Sequence, residues 1–193
     1  MSEFKNIGLV GRPGHAGVVD TLRRLLEFLS LRDLTIIVDD LTADLIQGHG
    51  QRQCKREELS KFCDLVIVVG GDGSMLNVAK FVASDQVPVI GINRGRLGFL
   101  TDVLPDELEA VITGVLEGSY SVDSRFLLDV EARNGSTNAD QGQYLGSALN
   151  DVVLHPGKAA QMIKFELFID DKFVYSQESD GLIVATPTGS TAY

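Results

Sequence analysis

The chain has 193 residues, 44% hydrophobic and 23% charged, which is enough for one large domain or two small ones with a sizeable core. Its 17 basic residues against 27 acidic ones give a formal charge of −10, which disfavours a nucleic-acid binder because such a protein needs a basic face. An anionic small substrate stays compatible, since local dipoles or a bound cation reverse the field within one pocket.

The first residues lack the charged-then-apolar pattern of a signal peptide, and no apolar run approaches the roughly 20 residues needed to cross a bilayer, so a cytoplasmic protein is expected. Two cysteines, Cys54 and Cys63, lack close metal-type spacing and read as reduced thiols.

In chain order, residues 6–10 form a short apolar strand ending at Gly11. Residues 18–31 carry Leu22, Leu25, Leu26 and Leu29 as a helical stripe. A second strand over 34–38 ends in Asp39-Asp40, and 55–62 reads as a short helix. It leads to Leu65-Val66-Ile67-Val68-Val69, a β-branched run that reads as a buried strand and stops at Gly70-Gly71-Asp72-Gly73. Residues 74–83 read as a helix with Met75, Leu76, Ala79 and Val82 inward. Residues 87–92 form a further strand, and 105–116 a helix opened by proline and acidic residues and closed by Gly118.

Strand–helix alternation predicts a parallel sheet with helices on both faces. Past Tyr120 the pattern changes to strands over 126–132, 149–155, 162–169, 172–176 and 181–186, with a polar loop at 134–143 and a hairpin turn at Asp170-Asp171. The expected fold class is α/β: a Rossmann-like parallel α/β domain over 1–121, followed by an all-β, sandwich-like domain over 122–193. Small polar residues after the turn Pro187-Thr188-Gly189 read as a helix start or a ligand loop, as if the chain were cut there.

The Gly-Gly-Asp-Gly loop carries the strongest chemical signal. Open α/β sheets bind ligands at their carboxyl edge, and glycines let phosphate approach backbone N–H groups. The loop is no Walker P-loop, because no Lys-Ser or Lys-Thr follows, and G-x-G-x-x-G is absent after the first strand. Asp72 beside a phosphate repels it unless it acts as a base or metal partner, and a helix-capping aspartate is the plain alternative. Asn150-Asp151 pairs an amide with a carboxylate, suited to gripping a base edge and a ribose hydroxyl, or simply a polar turn. The loop Gly91-Ile92-Asn93-Arg94-Gly95-Arg96-Leu97-Gly98 holds two arginines and suits an anion or a solvated turn. His155 and Lys158, flanking Pro156-Gly157, read as loop residues, and Asp180-Gly181 is ambiguous.

Taken together, these segments resemble the NAD kinases of bacterial type. The resemblance rests on Val69 to Gly73, on Gly91 to Gly95 with Leu97-Gly98-Phe99-Leu100, on Leu149 to His155, and on Ser179 to Ile183 running into Thr186 to Tyr193, in the family's order. It implies transfer of the γ-phosphoryl of ATP to the 2′-hydroxyl of the adenosine ribose of NAD, giving NADP. Asp72 would accept the proton and, with Gly73, contact the dinucleotide. Asn150 and Asp151 would hold the adenosine end. Asp180, with Thr191, Ala192 and Tyr193, would contact the nicotinamide and ribose side, and Thr188 is a further cofactor-binding residue. Gln161 and Glu178 stand at two further binding positions. A divalent cation, Mg²⁺ by preference, and a homo-oligomer are also implied, with no nucleic acid or membrane partner. A non-catalytic, truncated NAD-binding fragment and a lipid kinase of the diacylglycerol type are the alternatives; polyphosphate is a second candidate donor.

Overall fold

The computed structural model describes residues 4–15, 17–95, 98–133, 142–157 and 161–191. Arg96, Leu97, Lys158, Ala192, Tyr193 and most of the polar loop after Arg133 lie outside the described residues. The chain divides into two compact units, Met1–Ser124 and Arg125–Tyr193.

In the first unit, β1 (Asn6–Gly11), β2 (Thr35–Asp39), β3 (Arg52–Cys54), β4 (Leu65–Gly70) and β5 (Val89–Asn93) form one parallel sheet in the order β3-β2-β1-β4-β5. Strand β4 is buried along its whole length, as its unbroken apolar run requires of a central parallel strand. Each fully buried Val, Leu or Ile there contributes about 1.5–3 kcal/mol.

The period of two sorts the strand residues onto two cores. Ile7, Leu9, Ile36, Val38, Leu65, Ile67, Val69 and Ile92 pack with α1 (Val18–Ser30) and α5 (Leu108–Leu116). Val10, Ile37, Val66 and Val68 pack with α3 (Leu59–Phe62) and α4 (Asp72–Val82). A short helix α2 (Asp40–Leu45) follows β2. Gly118, in the left-handed region at φ 88°, follows α5 and ends that helix.

Some local expectations shift. Helix α4 begins at Asp72, not residue 74, and Val78 and Val82 are its buried residues; Leu76 and Ala79 are half-buried. Helix α2 and strand β3 carry no periodic signal of their own. The order of the strands reverses between β1 and β4, so the carboxyl ends of those two strands flank the crevice where open sheets bind ligands.

The second unit holds β6 (Leu128–Ala132), β7 (Gln143–Ala148), β8 (Asp151–Leu154), β9 (Ile163–Ile169), β10 (Lys172–Ser179) and β11 (Leu182–Ala185). They pair antiparallel as β6–β7, β8–β11 and β9–β10, with no helix among the described residues. Asp170 and Asp171 both have positive φ, 47° and 62°, and turn β9 into β10 as a two-residue hairpin requires.

A buried ion pair fastens the β2 end of the sheet. Asp39 is fully buried, caps α2 by accepting from Thr42 N at 3.1 Å, and accepts from Arg56 Nε at 2.8 Å. Thr42 Oγ1 in turn accepts from Gly11 N at 2.7 Å, tying α2 to β1. Burial holds the Asp39 carboxyl above its ordinary range, with Thr42 and Arg56 pulling against that. Both thiols are free, and burial is the main reason that Cys54 is pushed up to about 11 and Cys63 to about 12. Cys63 lies under β1, where a Cβ on Gly8 would come 2.9 Å from its Sγ.

Replacing Arg56 by Met should destabilise the fold by about 3–5 kcal/mol at neutral pH, because it strands a buried carboxylate. A carboxyl with a raised folded-state pKa favours folding below its unfolded pKa, and that contribution is lost as pH rises through the folded one. The deficit of the Arg56→Met variant should therefore shrink on mild acidification, as urea unfolding curves at the two pH values would register. Thiol titration with an aromatic disulfide at neutral pH should proceed slowly on native protein and rapidly at both cysteines after unfolding.

Candidate active site

Strand β4 ends at Gly70, and the chain turns directly into α4. Gly71 is the helix N-cap, and its carbonyl accepts from Ser74 N at 2.8 Å. Neither Gly71 nor Gly73 has a left-handed φ, and a Cβ on either would meet no atom within 4 Å. Glycine at these two positions therefore keeps space beside the backbone rather than serving a strained turn. Gly70 is different: a Cβ there would collide with the Ser74 side chain.

Asp72 opens α4 but does not cap it, since no side-chain cap bond is made there. Its carboxylate reaches across to the loop that follows β5. Oδ2 accepts from Phe99 N at 2.8 Å. Oδ1 accepts from Leu100 N at 3.0 Å, Thr101 N at 3.2 Å and Thr101 Oγ1 at 3.2 Å. A Cβ on Gly98 would run into that carboxylate, so only glycine allows the loop this close. The loop is held from the sheet side as well. Asn93 Nδ2 donates to Thr101 O at 3.0 Å, Asn93 N donates to Val103 O at 2.8 Å, and Val103 bridges to Ile92 in parallel fashion.

The same edge gathers positive charge. Arg12 follows β1, its N–H donating to Val69 O at 3.1 Å, and its Cβ lies 3.4 Å from the position of a Cβ on Gly70. Arg94 follows β5; its N–H donates to Gly70 O at 2.8 Å and its Nε to Thr21 Oγ1 at 2.5 Å. Its guanidinium therefore rests against the N-terminal turn of α1, where a Cβ on Gly17 would sit 2.9 Å from Nη1. A cation at a helix N-terminus opposes the helix dipole, so an anion there would relieve both. Asp39, at the carboxyl end of β2, is where a dinucleotide-binding fold keeps its ribose-binding acid. Here it is committed to Thr42 and Arg56 and has no exposed surface.

In the second unit, Asn150 and Asp151 lie at the start of β8. Asn150 O accepts from Thr186 N at 2.8 Å and from Thr186 Oγ1 at 3.2 Å. Gly189 packs onto the same peptide, and a Cβ there would collide with the Asn150 carbonyl. Thr186 Oγ1 also accepts from Gly189 N at 3.1 Å, which locks the turn after β11 onto the turn before β8. This brings Asn150 and the 186–191 segment together. Among the described residues, the Asn150 side-chain oxygen is buried and takes no hydrogen bond. Thr188 Oγ1 accepts from Arg125 Nη1 at 3.1 Å. Gln161, Glu178, Asp180 and Thr191 are exposed, and Glu178 stands opposite Lys164 in the β9–β10 ladder. Sequence reasoning missed Thr101 and took Thr186 only as part of the last motif, without a role; both are fully or almost fully buried. Their signal was a threonine directly after one glycine-containing motif and another opening the next.

Among the described residues no three His, Cys, Asp or Glu side chains stand together as a metal cage. The donor set fits at most a cation held chiefly by phosphate oxygens, as Mg²⁺ commonly is. No helix among the described residues is long and apolar enough to cross a membrane.

The profile of the ATP-NAD kinase N-terminal domain matches residues 7–120, and that of the ATP-NAD kinase C-terminal domain matches residues 149–193. The chain is 58% identical over all 193 residues to an NAD kinase of Pseudomonas aeruginosa and 57% identical to one of Azotobacter vinelandii. It spans 64% of the length of these relatives. Among solved structures, a yeast NADH kinase complexed with NADH superposes with a TM-score of 0.87 at 25% identity, covering 98% of this chain and 59% of that one. An NAD kinase from Archaeoglobus fulgidus in complex with ATP superposes with a TM-score of 0.61 at 25% identity, covering 97% of this chain and 63% of that one.

Proposed function

The chain belongs to the ATP-NAD kinase family, and from that premise we propose that the whole protein transfers the γ-phosphoryl of ATP to the 2′-hydroxyl of the adenosine ribose of NAD. The observation that carries this reading is Asp72, held at the carboxyl edge of the sheet on a turn whose glycines leave backbone and space beside it.

A sugar hydroxyl is a weak nucleophile while it keeps its proton. As its oxygen bonds to the γ-phosphorus, the proton passes to the Asp72 carboxylate and the bond from the γ-phosphorus to the bridging oxygen breaks, releasing ADP. Catalysis of this kind is largely positioning and charge stabilisation. The N–H groups around Gly71 and Gly73 would face the phosphates, with Arg12 and Arg94 offsetting their charge. Any divalent cation would arrive on the nucleotide as part of the donor substrate.

Asn150 would hold the adenine. An amide side chain matches the adenine edge, accepting from the exocyclic amine and donating to the ring nitrogen beside it. The buried, unpartnered Oδ1 of Asn150 supports that role. Asp151, Asp180, Thr188 and Thr191, with Ala192 and Tyr193, would contact the riboses and nicotinamide; Gln161 and Glu178 would extend that surface. A cytoplasmic homo-oligomer completes the reading. Family membership favours it over a lipid kinase.

Asp72→Asn in the intact protein should lower kcat for NADP formation by about 10²–10⁴-fold, the usual contribution of a positioned base. NAD affinity, read by calorimetry, should change only a few-fold. Undiminished NADP formation would remove Asp72 from the chemistry.

A further inference from the structure

Resting on the assignment of Asp72 as the base, we propose that Thr101 is a positioning residue that anchors Oδ1 of Asp72 and thereby leaves Oδ2 as the oxygen that takes the sugar proton. Thr101 has no exposed surface, and each of its polar groups is committed. Its N–H and its hydroxyl both donate to Oδ1, and its carbonyl accepts from Asn93 Nδ2 at 3.0 Å. Asn93, only 4% exposed, is the last residue of β5, so the anchor is carried by the sheet rather than by the loop alone. The threonine methyl has its own seat: a Cβ on Gly91 would come 2.6 Å from Thr101 Cγ2. A β-branched side chain wedged in this way keeps one rotamer, and its hydroxyl keeps one direction.

The hydrogen bonds on the carboxylate are unequal. Oδ1 takes three donors, Leu100 N, Thr101 N and Thr101 Oγ1, which exceeds its two lone-pair directions. Oδ2 takes one, Phe99 N, and retains a lone pair. The arrangement orients the carboxylate before any substrate arrives, which is how a base on a turn acquires the placement that proton transfer demands. Gly98 belongs to the same device. Its backbone lies so close to the carboxyl group that a methyl there would push Asp72 off its anchor.

The test is steady-state kinetics of NADP formation by the intact protein, with thermal midpoints measured alongside. Thr101→Val keeps the shape and removes the hydroxyl. It should lower kcat about tenfold or more, the scale of one hydrogen bond to a charged group, while the KM values for NAD and ATP stay within about twofold. Thr101→Ser should restore most of the rate. In an Asp72→Asn background, Thr101→Val should cost nothing further, because its effect passes through the carboxylate. Should Thr101→Val fail to fold, Gly98→Ala provides the second arm and should show the same loss in kcat at unchanged KM. A wild-type kcat for Thr101→Val or Gly98→Ala, while Asp72→Asn is inactive, overturns the anchoring role alone. So does a serine variant as slow as the valine one. Full turnover by Asp72→Asn overturns the base assignment and this inference with it.

Discussion

The carboxylate of Asp72 draws the loop after β5 onto the first turn of α4, and two glycine-bearing segments far apart in sequence become one surface. Three successive backbone N–H groups, Phe99 to Thr101, point at one side chain. Without that acceptor the loop would need other partners for them, because a backbone donor left unmet inside a protein is expensive. With it, the loop is fixed from both sides, by Asp72 on α4 and by Asn93 on β5. The two strands that deliver these groups lie side by side in the sheet, so the geometry inherits the register Gly70↔Asn93. A carboxylate on a flexible turn would sample many orientations; this one is oriented by the fold.

The second unit follows the same physical logic with different groups. Thr186 and Gly189 grip the Asn150 peptide, and among the described residues the amide side-chain oxygen is left uncommitted. Glycine is required at 189 for the reason it is required at 98: in each case the neighbouring chain occupies the space of a side chain. Gly71 and Gly73 differ, since there the space is open. The four positions separate glycines that let the chain approach itself from glycines that let something else approach the chain.

Charge is arranged against the overall balance. A chain with a net charge of −10 follows β1 and β5 with Arg12 and Arg94, and the Arg94 guanidinium lies beside the N-terminal turn of α1, where the helix dipole adds to the positive potential. The acid that a dinucleotide-binding sheet would offer to a ribose is instead buried as Asp39 and paired with Arg56. At this edge the Asp39 carboxylate is withdrawn into the fold, while that of Asp72, just past β4, is held by the loop after β5.

Much of this was legible in the residues themselves. An unbroken β-branched run ending in glycines marks a central parallel strand, leucines at helical spacing mark α1, and paired aspartates between two strands mark a hairpin, because burial and backbone sterics act over a few neighbours. The same local signals put Asp72 just after β4 and Asn150 just before β8. Helix α2, strand β3 and strand β7 were not legible: β3 is three mostly polar residues that become a strand only by pairing with β2, and β7 is interrupted by Gly146 at φ 142°. What Asp72 touches was decided by tertiary structure alone. Its four donors lie 27–29 residues away, and no local pattern encodes a hydrogen bond that exists only when β4 and β5 lie side by side.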